Sequence, residues 1–344
     1  MKVVRGDGHR AHFPAGEISG GALVRPFECP ERVEYIEAAL ATAGLTDHAA
    51  PNEVPDELLR QVHDADYVDF LRSAWEEWTA AGYSGDMIPT CFPARRMVQR
   101  VPTDIDGRLG YYAFAAETSI TDGTWSAAHE AASIAHTAQQ LVSGGDTVAF
   151  ALCRPPGHHA SRDFFGGYCF LNNAAVAAQG FRNDGADRVA VLDVDFHHGN
   201  GTQDIFWERD DVFFASLHGD PRSEFPHFLG FADETGAGEG VGATLNHPMA
   251  PGTGFEEWSA ALADALGRIE SHGVDALVVS LGVDTYLADP ISSFKLDSPD
   301  FSTMGRMIGA AGLPTVYCME GGYAVEEIGV NTVNVLTGHL DGAG

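Results

Sequence analysis

Short apolar runs that alternate with longer stretches of helical periodicity constrain the fold of this chain more than any other feature. The runs are rich in β-branched and aromatic residues, and they cover residues 147–153, 188–194, 212–217, 276–281 and 314–319. A strand covered on both faces has such a continuous apolar run. Strands that alternate with helices indicate βαβ units. The sequence therefore predicts an α/β fold with a mostly parallel β-sheet.

Helical patterns fill much of the remaining chain. They cover residues 31–43, 57–80, 127–143, 172–183, 254–272 and 302–311, and Pro30 stands just ahead of the first, a position that favours a helix start. Residues 82–123 do not fit this scheme, because they are rich in Pro, Gly, Arg and Thr and show little periodicity. A structureless loop of that length inside a compact domain usually has a function or is held by a partner.

Length and composition limit the class of protein. The chain has 344 residues, of which 44% are hydrophobic, and it shows neither an internal repeat nor a low-complexity linker. An α/β fold of this size often forms one domain, which is the expectation for residues 1–344. Residues 1–21 lack the apolar core of a signal peptide, and no segment is apolar for long enough to cross a bilayer. We therefore expect a cytoplasmic protein.

The chain is strongly acidic, with a formal net charge of −29. Such a field repels nucleic acid and anionic membranes, so neither is an expected partner, and it attracts cations. The basic residues are nearly all arginine, since only Lys2 and Lys295 are lysine. Strong acidity with few lysines also fits adaptation to a saline habitat. The charge alone does not decide between a cationic substrate and a salty environment.

Polar side chains follow four of the five predicted strands at the point where each strand ends. The motifs at these four ends are RPPGHHA, DVDFHHGNG, GVDTY and EGGY. They contain His158, His159, Asp193, Asp195, His197, Asn200, Asp284, Glu320 and Tyr323. Ligands bind at the carboxyl ends of parallel strands, so we expect these side chains to meet at one edge of the sheet.

The spacing in DVDFH indicates a metal site. Side chains alternate along an extended chain, so Asp193, Asp195 and His197 point to one side, and His198 points to the other. Asp195, His197 and Asp284 could then form a three-ligand site with a position open for water, the plan of a catalytic zinc site. The same ligands also suit Fe²⁺, Mn²⁺ or Co²⁺. The alternative is a strand end whose carboxylates cap a helix or bind a structural ion.

Six motifs occur together in this chain. They are RPPGHHA, GGYCFLNNAA, LDVDFHHGNGTQDIF, SLHGD, GVDTY and MEGGY. The combination resembles the arginase–deacetylase superfamily and, within it, the bacterial acetylpolyamine amidohydrolases, relatives of the zinc-dependent histone deacetylases. The resemblance extends from RPFECPERVEYI to EGGYAVEEIG, nearly the whole chain. It implies one deacetylase-like domain with a single open, mostly parallel β-sheet, helices on both faces, and a long insertion at about residues 82–123.

The resemblance also implies the ion sites. Asp195, His197 and Asp284 match the zinc ligands of the family. A structural monovalent cation, K⁺ or Na⁺, is held near the zinc in the family, at positions that correspond to Asp193, Asp195, His197, Ser216 and Leu217. Asp193 would in addition be the hydrogen-bond partner of His158, and such a partner fixes the tautomer and orientation of an imidazole.

The family reaction is the hydrolysis of an acetyl amide to an amine and acetate. By resemblance, His159 would take the proton of the water and give it to the leaving amine, while His158 would act electrostatically. Tyr323 and the zinc would stabilise the oxyanion. Many histone deacetylases have aspartate where this chain has Asn200. A neutral partner should raise the pKa of the second imidazole less than a carboxylate would.

The implied substrate is a small cationic acetylated polyamine, such as acetylputrescine, acetylcadaverine or a longer relative. Tyr168 and Phe225 match the aromatic walls of the family's channel, which suit an alkyl chain with a cationic tail. Glu117 matches an acidic residue at the channel mouth, and Asp106 is a second candidate, although relatives often have glutamate there. The insertion at 82–123 would narrow the channel and form the contact of a homodimer.

Three other functions compete with this interpretation. A protein lysine deacetylase of the histone deacetylase type would need an open channel mouth, and the long insertion argues against it. A non-catalytic metal-binding relative would be expected to lose Tyr323 or one of the histidines, and this chain has them all. An arginase-like ureohydrolase would need two metals and more carboxylate and histidine ligands than the motifs supply.

Overall fold

The strands and helices are known from a computed structural model that describes residues 1–94 and 96–344. Within these ranges the chain forms an eight-stranded sheet and a two-stranded hairpin. The strands are β1 Lys2–Val4, β2 Glu17–Ser19, β3 Ala22–Val24, β4 His48–Ala49, β5 Val148–Ala151, β6 Val189–Asp193, β7 Val212–Gly219, β8 Thr244–Met249, β9 Ala276–Leu281 and β10 Thr315–Met319. The hairpin consists of β2 and β3, and the other strands form the large sheet.

The large sheet is open and parallel throughout. Its strand order is β4-β1-β5-β10-β9-β6-β7-β8, and every neighbouring pair runs in the same direction. The five strands expected from the apolar runs are β5, β6, β7, β9 and β10, which are adjacent in the sheet and buried along their whole length. The predicted α/β fold class is therefore confirmed.

Helices cover both faces of this sheet. They are α1 Glu31–Thr42, α2 Asp56–Val62, α3 Ala65–Ala80, α4 Ile105–Tyr111, α5 Thr124–Ser143, α6 Asn173–Asn183, α7 Asn200–Phe206, α8 Phe255–His272, α9 Ser298–Gly309 and α10 Ile328–Gly342. In β6, Val189 and Val191 pack with α2, α3, α5 and α6, whereas Ala190 and Leu192 pack with α1, α8, α9 and α10. Both sets of alternating side chains are thus buried, which explains the continuous apolar runs.

The single helix expected over residues 57–80 is in fact two helices, α2 and α3, because residues 63 and 64 are extended. His63 Nδ1–H donates to the carbonyl oxygen of Ser161 at 2.6 Å, and His63 Nε2 accepts the backbone N–H of Asn172 at 3.0 Å. This junction is therefore tied to the chain that follows the histidine pair. The contact is long-range, so helical periodicity alone does not reveal it.

Residues 82–123 contain a helix, contrary to the expectation from their sequence. α4 begins after Asp104, whose carboxylate accepts the backbone N–H of Asp106 at 3.1 Å. The ends of the segment meet where Met87 and Ile120 exchange backbone hydrogen bonds. A helix of 7 residues that includes two glycines is too short to show a clear period.

Helix α10 was also missed, and its packing explains why it forms. Its sequence, IGVNTVNVLTGHLDG, is rich in residues of low helix propensity. Gly305 and Gly309 of α9 lie against the backbone of Val335 and His339, where an added Cβ would overlap a carbonyl oxygen. Such close contact between helices supplies the stability that local propensity does not. Among the described residues, no helix combines the length and the apolar character needed to cross a membrane.

Candidate active site

Three potential metal ligands converge at the carboxyl edge of the sheet. Asp195 and His197 follow β6, and Asp284 follows β9, its neighbour in the sheet. One ligand atom from each residue lies within 4.8 Å of the others, and all three residues are buried. His197 Nδ1 lies 3.2 Å from Asp195 Oδ1 and 3.0 Å from Asp284 Oδ2. The structure thus brings together the three residues that the sequence suggested as ligands.

Backbone N–H groups orient both carboxylates. Asp195 Oδ2 accepts the N–H of Gly321 at 2.8 Å, and Asp195 Oδ1 accepts the N–H of His197 at 2.8 Å. Asp284 Oδ1 accepts the N–H of Phe196 at 2.8 Å, which leaves Oδ2 directed at His197. Outer hydrogen bonds of this kind fix ligand geometry around a metal. The carboxylates are therefore held in place by the chain itself.

The electrostatics of this cluster fit a cation. Burial, together with the neighbouring Asp195 carboxylate, raises the pKa of Asp284 to about 8. Two buried carboxylates this close do not both ionise without a compensating positive charge. Two carboxylate oxygens and one imidazole nitrogen are a donor set that binds Zn²⁺ and related divalent ions. The residues present therefore fit a divalent metal.

His158 and His159 have different hydrogen-bond partners. His158 Nδ1–H donates to Asp193 Oδ2 at 3.0 Å, and His159 Nδ1–H donates to the amide oxygen Oδ1 of Asn200 at 2.7 Å. The donation to Asn200 leaves Nε2 of His159 as the nitrogen that can accept a proton. His159 lines the cavity described below, so a proton acceptor faces the space next to the metal ligands.

The same partners give the two imidazoles opposite charge preferences. Burial disfavours the charged form of His158, but the carboxylates of Asp195 and Asp193 outweigh burial and raise its pKa to about 10. Burial and the adjacent His158 hold the pKa of His159 well below its usual range. The surroundings therefore favour the charged form of His158 and the neutral form of His159.

A cavity of about 270 Å³ reaches His197, one of the three potential metal ligands. Phe225 lies with its ring centroid 5.2 Å from that of His159, and Tyr168 lies 5.6 Å from Tyr323. The cavity is lined by Glu17, Ile18, Ser19, Gly20, Phe27, Glu117, His159, Gly167, Tyr168, His197, Phe225, Ile291 and Tyr323. Both residues suggested as aromatic walls therefore line the cavity, as does Tyr323.

Two carboxylates line the same cavity, and Glu17 is buried whereas Glu117 is half-buried. Glu117 Oε1 accepts the backbone N–H of Gly167 at 2.9 Å, and burial raises the pKa of Glu117. Glu17 accepts the hydroxyl of Tyr168 at 3.1 Å and the N–H of Phe27 at 3.1 Å, and burial raises its pKa to about 7. Two such carboxylates in an aromatic cavity favour a cationic ligand.

Glu17 was missed at the level of sequence, and Asp106 is not where the sequence suggested. Glu17 lies on the β2–β3 hairpin, and the only signal for it is the Gly20-Gly21 pair, which favours a hairpin turn. Asp106 lies in the first turn of α4 and is not among the residues that line the cavity. Within this chain, Asp106 is therefore not a residue of this cavity.

Of the residues suggested for a monovalent cation, Asp195 and His197 are also suggested metal ligands, and the other three lie on β6 and β7. Asp193 ends β6 and pairs with Ser216 of β7, and Leu217 follows in the same strand. Asp193 Oδ1 accepts the backbone N–H of Asp195 at 3.1 Å, and Ser216 Oγ bonds His218 Nδ1 at 2.8 Å. These residues are neighbours, and the cation itself stays a prediction.

Glu320 supports the histidine pair from the opposite side. Glu320 Oε2 accepts the backbone N–H groups of Gly157, at 2.6 Å, and of His158, at 3.2 Å. His158, Cys169 and Glu320 form a second buried group of potential ligand atoms within 4.8 Å. Because His158 Nδ1 already binds Asp193, we interpret this group as support for the histidine loop.

Comparisons with known proteins give one consistent result. Residues 26–339 match the histone deacetylase domain. The chain is 56% identical to an acetylpolyamine amidohydrolase of Mycoplana ramosa over 338 residues, covering 98% of this chain and 99% of that protein. It is also 56% identical to acetylpolyamine amidohydrolase 1 of Pseudomonas aeruginosa over 341 residues, again 98% and 99% of the two chains.

The fold has a counterpart among solved structures. The crystal structure of an acetylpolyamine aminohydrolase from Burkholderia pseudomallei superposes with a TM-score of 0.93. The two chains are 37% identical, and the match covers 98% of each. The sheet and helices described above are therefore shared with an enzyme of known structure.

Proposed function

Because this chain belongs to the histone deacetylase family, and is thus a hydrolytic deacetylase, we propose that it acts on small acetylated polyamines. The reaction converts the acetyl amide of acetylputrescine, acetylcadaverine or a longer relative to acetate and a free amine. The observation that carries the proposal is the position of Glu117, a half-buried carboxylate in the same cavity as His159 and Tyr323. A substrate with a distal ammonium group compensates that charge.

Asp195, His197 and Asp284 would hold the metal, which we propose is Zn²⁺. When bound, the ion supplies a Lewis acid beside the acetyl carbonyl. Fe²⁺, Mn²⁺ or Co²⁺ suit the same ligands. A K⁺ or Na⁺ ion would be held nearby by Asp193, Asp195, His197, Ser216 and Leu217.

The histidine pair divides the proton chemistry. His159 Nε2 accepts the proton of the attacking water as the new C–O bond forms. It returns that proton to the amine nitrogen as the C–N bond breaks, acid–base work that is typically worth about 10²–10⁴-fold in rate. His158, held by Asp193, keeps a positive charge beside the reacting group. Asn200 fixes the His159 tautomer, which supports these roles.

Tyr323 supplies a hydrogen bond to the oxyanion. Its hydroxyl donates to the oxygen of the former acetyl carbonyl, where negative charge develops. The ring is held between Tyr168, 5.6 Å away, and the Arg32 guanidinium, 5.1 Å away. A tyrosine fixed in this way needs little reorganisation when the charge appears.

The cavity distinguishes polyamines from protein substrates. Tyr168 and Phe225 flank the alkyl chain, and Glu117 and Glu17 neutralise the distal ammonium. A protein lysine deacetylase is the second candidate, because the side chain of acetyl-lysine has an alkyl chain similar in length to that of acetylputrescine or acetylcadaverine. Its substrate has a peptide backbone in place of the free ammonium, so it gains nothing from the two carboxylates.

We further propose that the chain forms a homodimer through residues 82–123. Apolar side chains in this segment are exposed, namely Phe92, Met97, Val98 and Val101, with Val98 at 92%. Exposed apolar side chains that are close in the chain favour a protein contact. Gel filtration with light scattering tests this, and a monomer at micromolar concentration would contradict it.

Acetate release by zinc-loaded protein tests the function. Acetylputrescine and acetylcadaverine are compared with an acetyl-lysine peptide, each with and without a chelator. Faster turnover of the small amines, abolished by the chelator and restored by Zn²⁺, supports the proposal. Faster turnover of the peptide supports the protein deacetylase instead, and no turnover of either substrate contradicts both.

A further inference from the structure

Asp289 has a buried carboxylate that, within the described part of the chain, accepts hydrogen bonds from backbone N–H groups. Asp289 Oδ2 accepts the backbone N–H of Tyr323 at 2.7 Å and that of Ala324 at 3.2 Å. Asp289 Oδ1 accepts the N–H of Ile291 at 3.1 Å. Its exposure is 7%, and burial raises its pKa to about 6. A charge buried at such cost is usually retained for a structural or functional reason.

The chain before Tyr323 does little to fix the tyrosine by itself. It is preceded by Gly321 and Gly322, and Gly322 has a φ of +133°, a conformation open mainly to glycine. Arg32 holds the near side of this turn, because its Nε–H donates to the carbonyl oxygen of Gly322 at 2.8 Å. After Gly322, the turn is held by the backbone N–H groups of Tyr323 and Ala324, which both donate to Asp289.

We propose that Asp289 is a positioning residue, which sets the location of the Tyr323 hydroxyl by fixing the backbone on its carboxyl side. The inference rests on the proposed function, since it assigns Asp289 a role only through Tyr323. The Asp289 side chain does not line the cavity and so does not touch the substrate. A substitution of Asp289 should therefore change the rate of the chemical step and not the binding of the substrate.

The other oxygen of Asp289 reaches a second wall of the cavity. Ile291 lines the cavity, and its backbone N–H donates to Asp289 Oδ1. One carboxylate therefore holds the tyrosine and this wall at a fixed separation. Asparagine at position 289 keeps one accepting oxygen and loses the other, so it should retain one of the two anchors.

The test compares Asp289→Ala, Asp289→Asn and Tyr323→Phe, singly and combined, in zinc-loaded enzyme with acetylputrescine. Misplacing a reacting group by about 1 Å costs up to ~100-fold, so Asp289→Ala should lower kcat by roughly 10- to 100-fold with KM changed less than about threefold. Asp289→Asn should recover part of that loss. Tyr323→Phe should lower kcat by about 100- to 1000-fold.

The decisive result is the combination. If Asp289 acts through the tyrosine hydroxyl, then Asp289→Ala adds little to the loss already caused by Tyr323→Phe. Asp275 provides a matched control, because one of its oxygens also accepts two consecutive backbone N–H groups, from Asp187 and Arg188, at the opposite edge of the sheet. Asp275→Ala should lower stability without changing kcat.

Three outcomes overturn the inference or its premise, and they are distinguishable. If the decrease in kcat in the double variant equals the product of the decreases in the two single variants, Asp289 does not act through Tyr323. Wild-type kcat in both Asp289→Ala and Asp289→Asn would show that it has no positioning role. If the wild-type enzyme releases no acetate from any acetylated amine, the proposed function fails first. If Asp289→Ala does not fold, Asp289→Asn replaces it in the test. Its effect on kcat is then compared in the enzyme that retains Tyr323 and in the Tyr323→Phe variant, and an effect confined to the first supports the inference.

Discussion

His158 and His159 are adjacent in the sequence and lie with ring centroids 4.0 Å apart, yet they favour opposite charges. The difference arises from their partners, since one imidazole binds a carboxylate and the other binds a neutral amide. A cationic ring next to a neutral ring also disfavours protonation of the second. The pair thereby places an imidazole whose charged form is favoured next to an imidazole whose neutral form can accept a proton.

The proposed role of His159 predicts a large loss in His159→Ala. We expect kcat to fall by about 10²–10⁴-fold, because the proton acceptor is removed. The bound metal, measured by elemental analysis, should stay near one equivalent. His48→Ala, in the exposed edge strand β4, is the control. Near-full turnover by metal-loaded His159→Ala would exclude His159 as the base.

The cavity carboxylate predicts selectivity for charged substrates. Glu117→Gln keeps the size of the side chain and removes its charge, so kcat/KM for acetylputrescine should fall by roughly 10-fold or more. An uncharged N-butylacetamide should lose little, because it makes no ion pair. Glu270→Gln, at the end of α8, provides the control. An equal loss for both substrates would remove Glu117 from the ammonium site.

At the scale of elements, helices α9 and α10 depend on glycines for their close approach. Gly305→Ala should lower the free energy of unfolding by about 1–3 kcal/mol, because its new Cβ would overlap the carbonyl oxygen of Val335. Gly267→Ala, in α8 with open space around it, should raise that free energy by about 0.5–1 kcal/mol. Urea denaturation measures both. Equal effects of the two variants would contradict the packing argument.

The junction of α2 and α3 predicts a loss of stability in acid. Burial lowers the pKa of His63 from 6.5 to about 4. Below pH 6.5 the unfolded chain binds a proton that the folded chain does not, so stability falls as the pH drops from 6.5 towards 4. This histidine contributes up to about 3 kcal/mol to that change.

His63→Gln checks this linkage. The variant should show a shallower decrease in unfolding free energy between pH 7 and pH 5 than the wild type, as measured by urea denaturation at several pH values. His48→Gln, whose side chain is exposed, should keep the wild-type slope. An unchanged slope in His63→Gln would mean that His63 binds its proton over the same pH range in the folded protein as in the unfolded chain.

The strands that the sequence predicted are those whose two faces have the same buried environment. Strands β5, β6, β7, β9 and β10 are buried on both faces, so every residue carries the signal. Strands β1 and β4 have 3 and 2 residues and show no pattern. Helix α10 and the break before α3 depend on contacts with distant segments, which periodicity does not record.

The same limit applies to the candidate site. The proposed metal ligands, the histidine pair and Tyr323 could be selected from the sequence because they stand in dense motifs directly after predicted strands. Glu17 and Asp289 were missed, since each is a lone acidic residue in a loop or short hairpin. Their importance arises from partners far away in sequence, such as Tyr168 and Tyr323.

At the scale of the whole molecule, the charge of −29 has two possible explanations, and each makes its own prediction about added salt. If the field steers a cationic substrate, kcat/KM for acetylputrescine should decrease as NaCl rises, because added salt screens the attraction. The value for an uncharged acetamide should stay constant. If the acidity serves a saline habitat, the free energy of unfolding should rise with salt instead. Steady-state kinetics and urea denaturation over one salt series measure both.

The position of β10 has a consequence for how the protein is made. This strand follows the other described strands in sequence, yet it lies between β5 and β9 in the middle of the sheet. A ribosome must therefore release residues 1–319 before the two halves of the sheet can join. Until then, β5 and β9 each present an unpaired apolar edge, a surface prone to aggregation. Production of this protein should accordingly depend on chaperones that protect a nascent chain until β10 emerges.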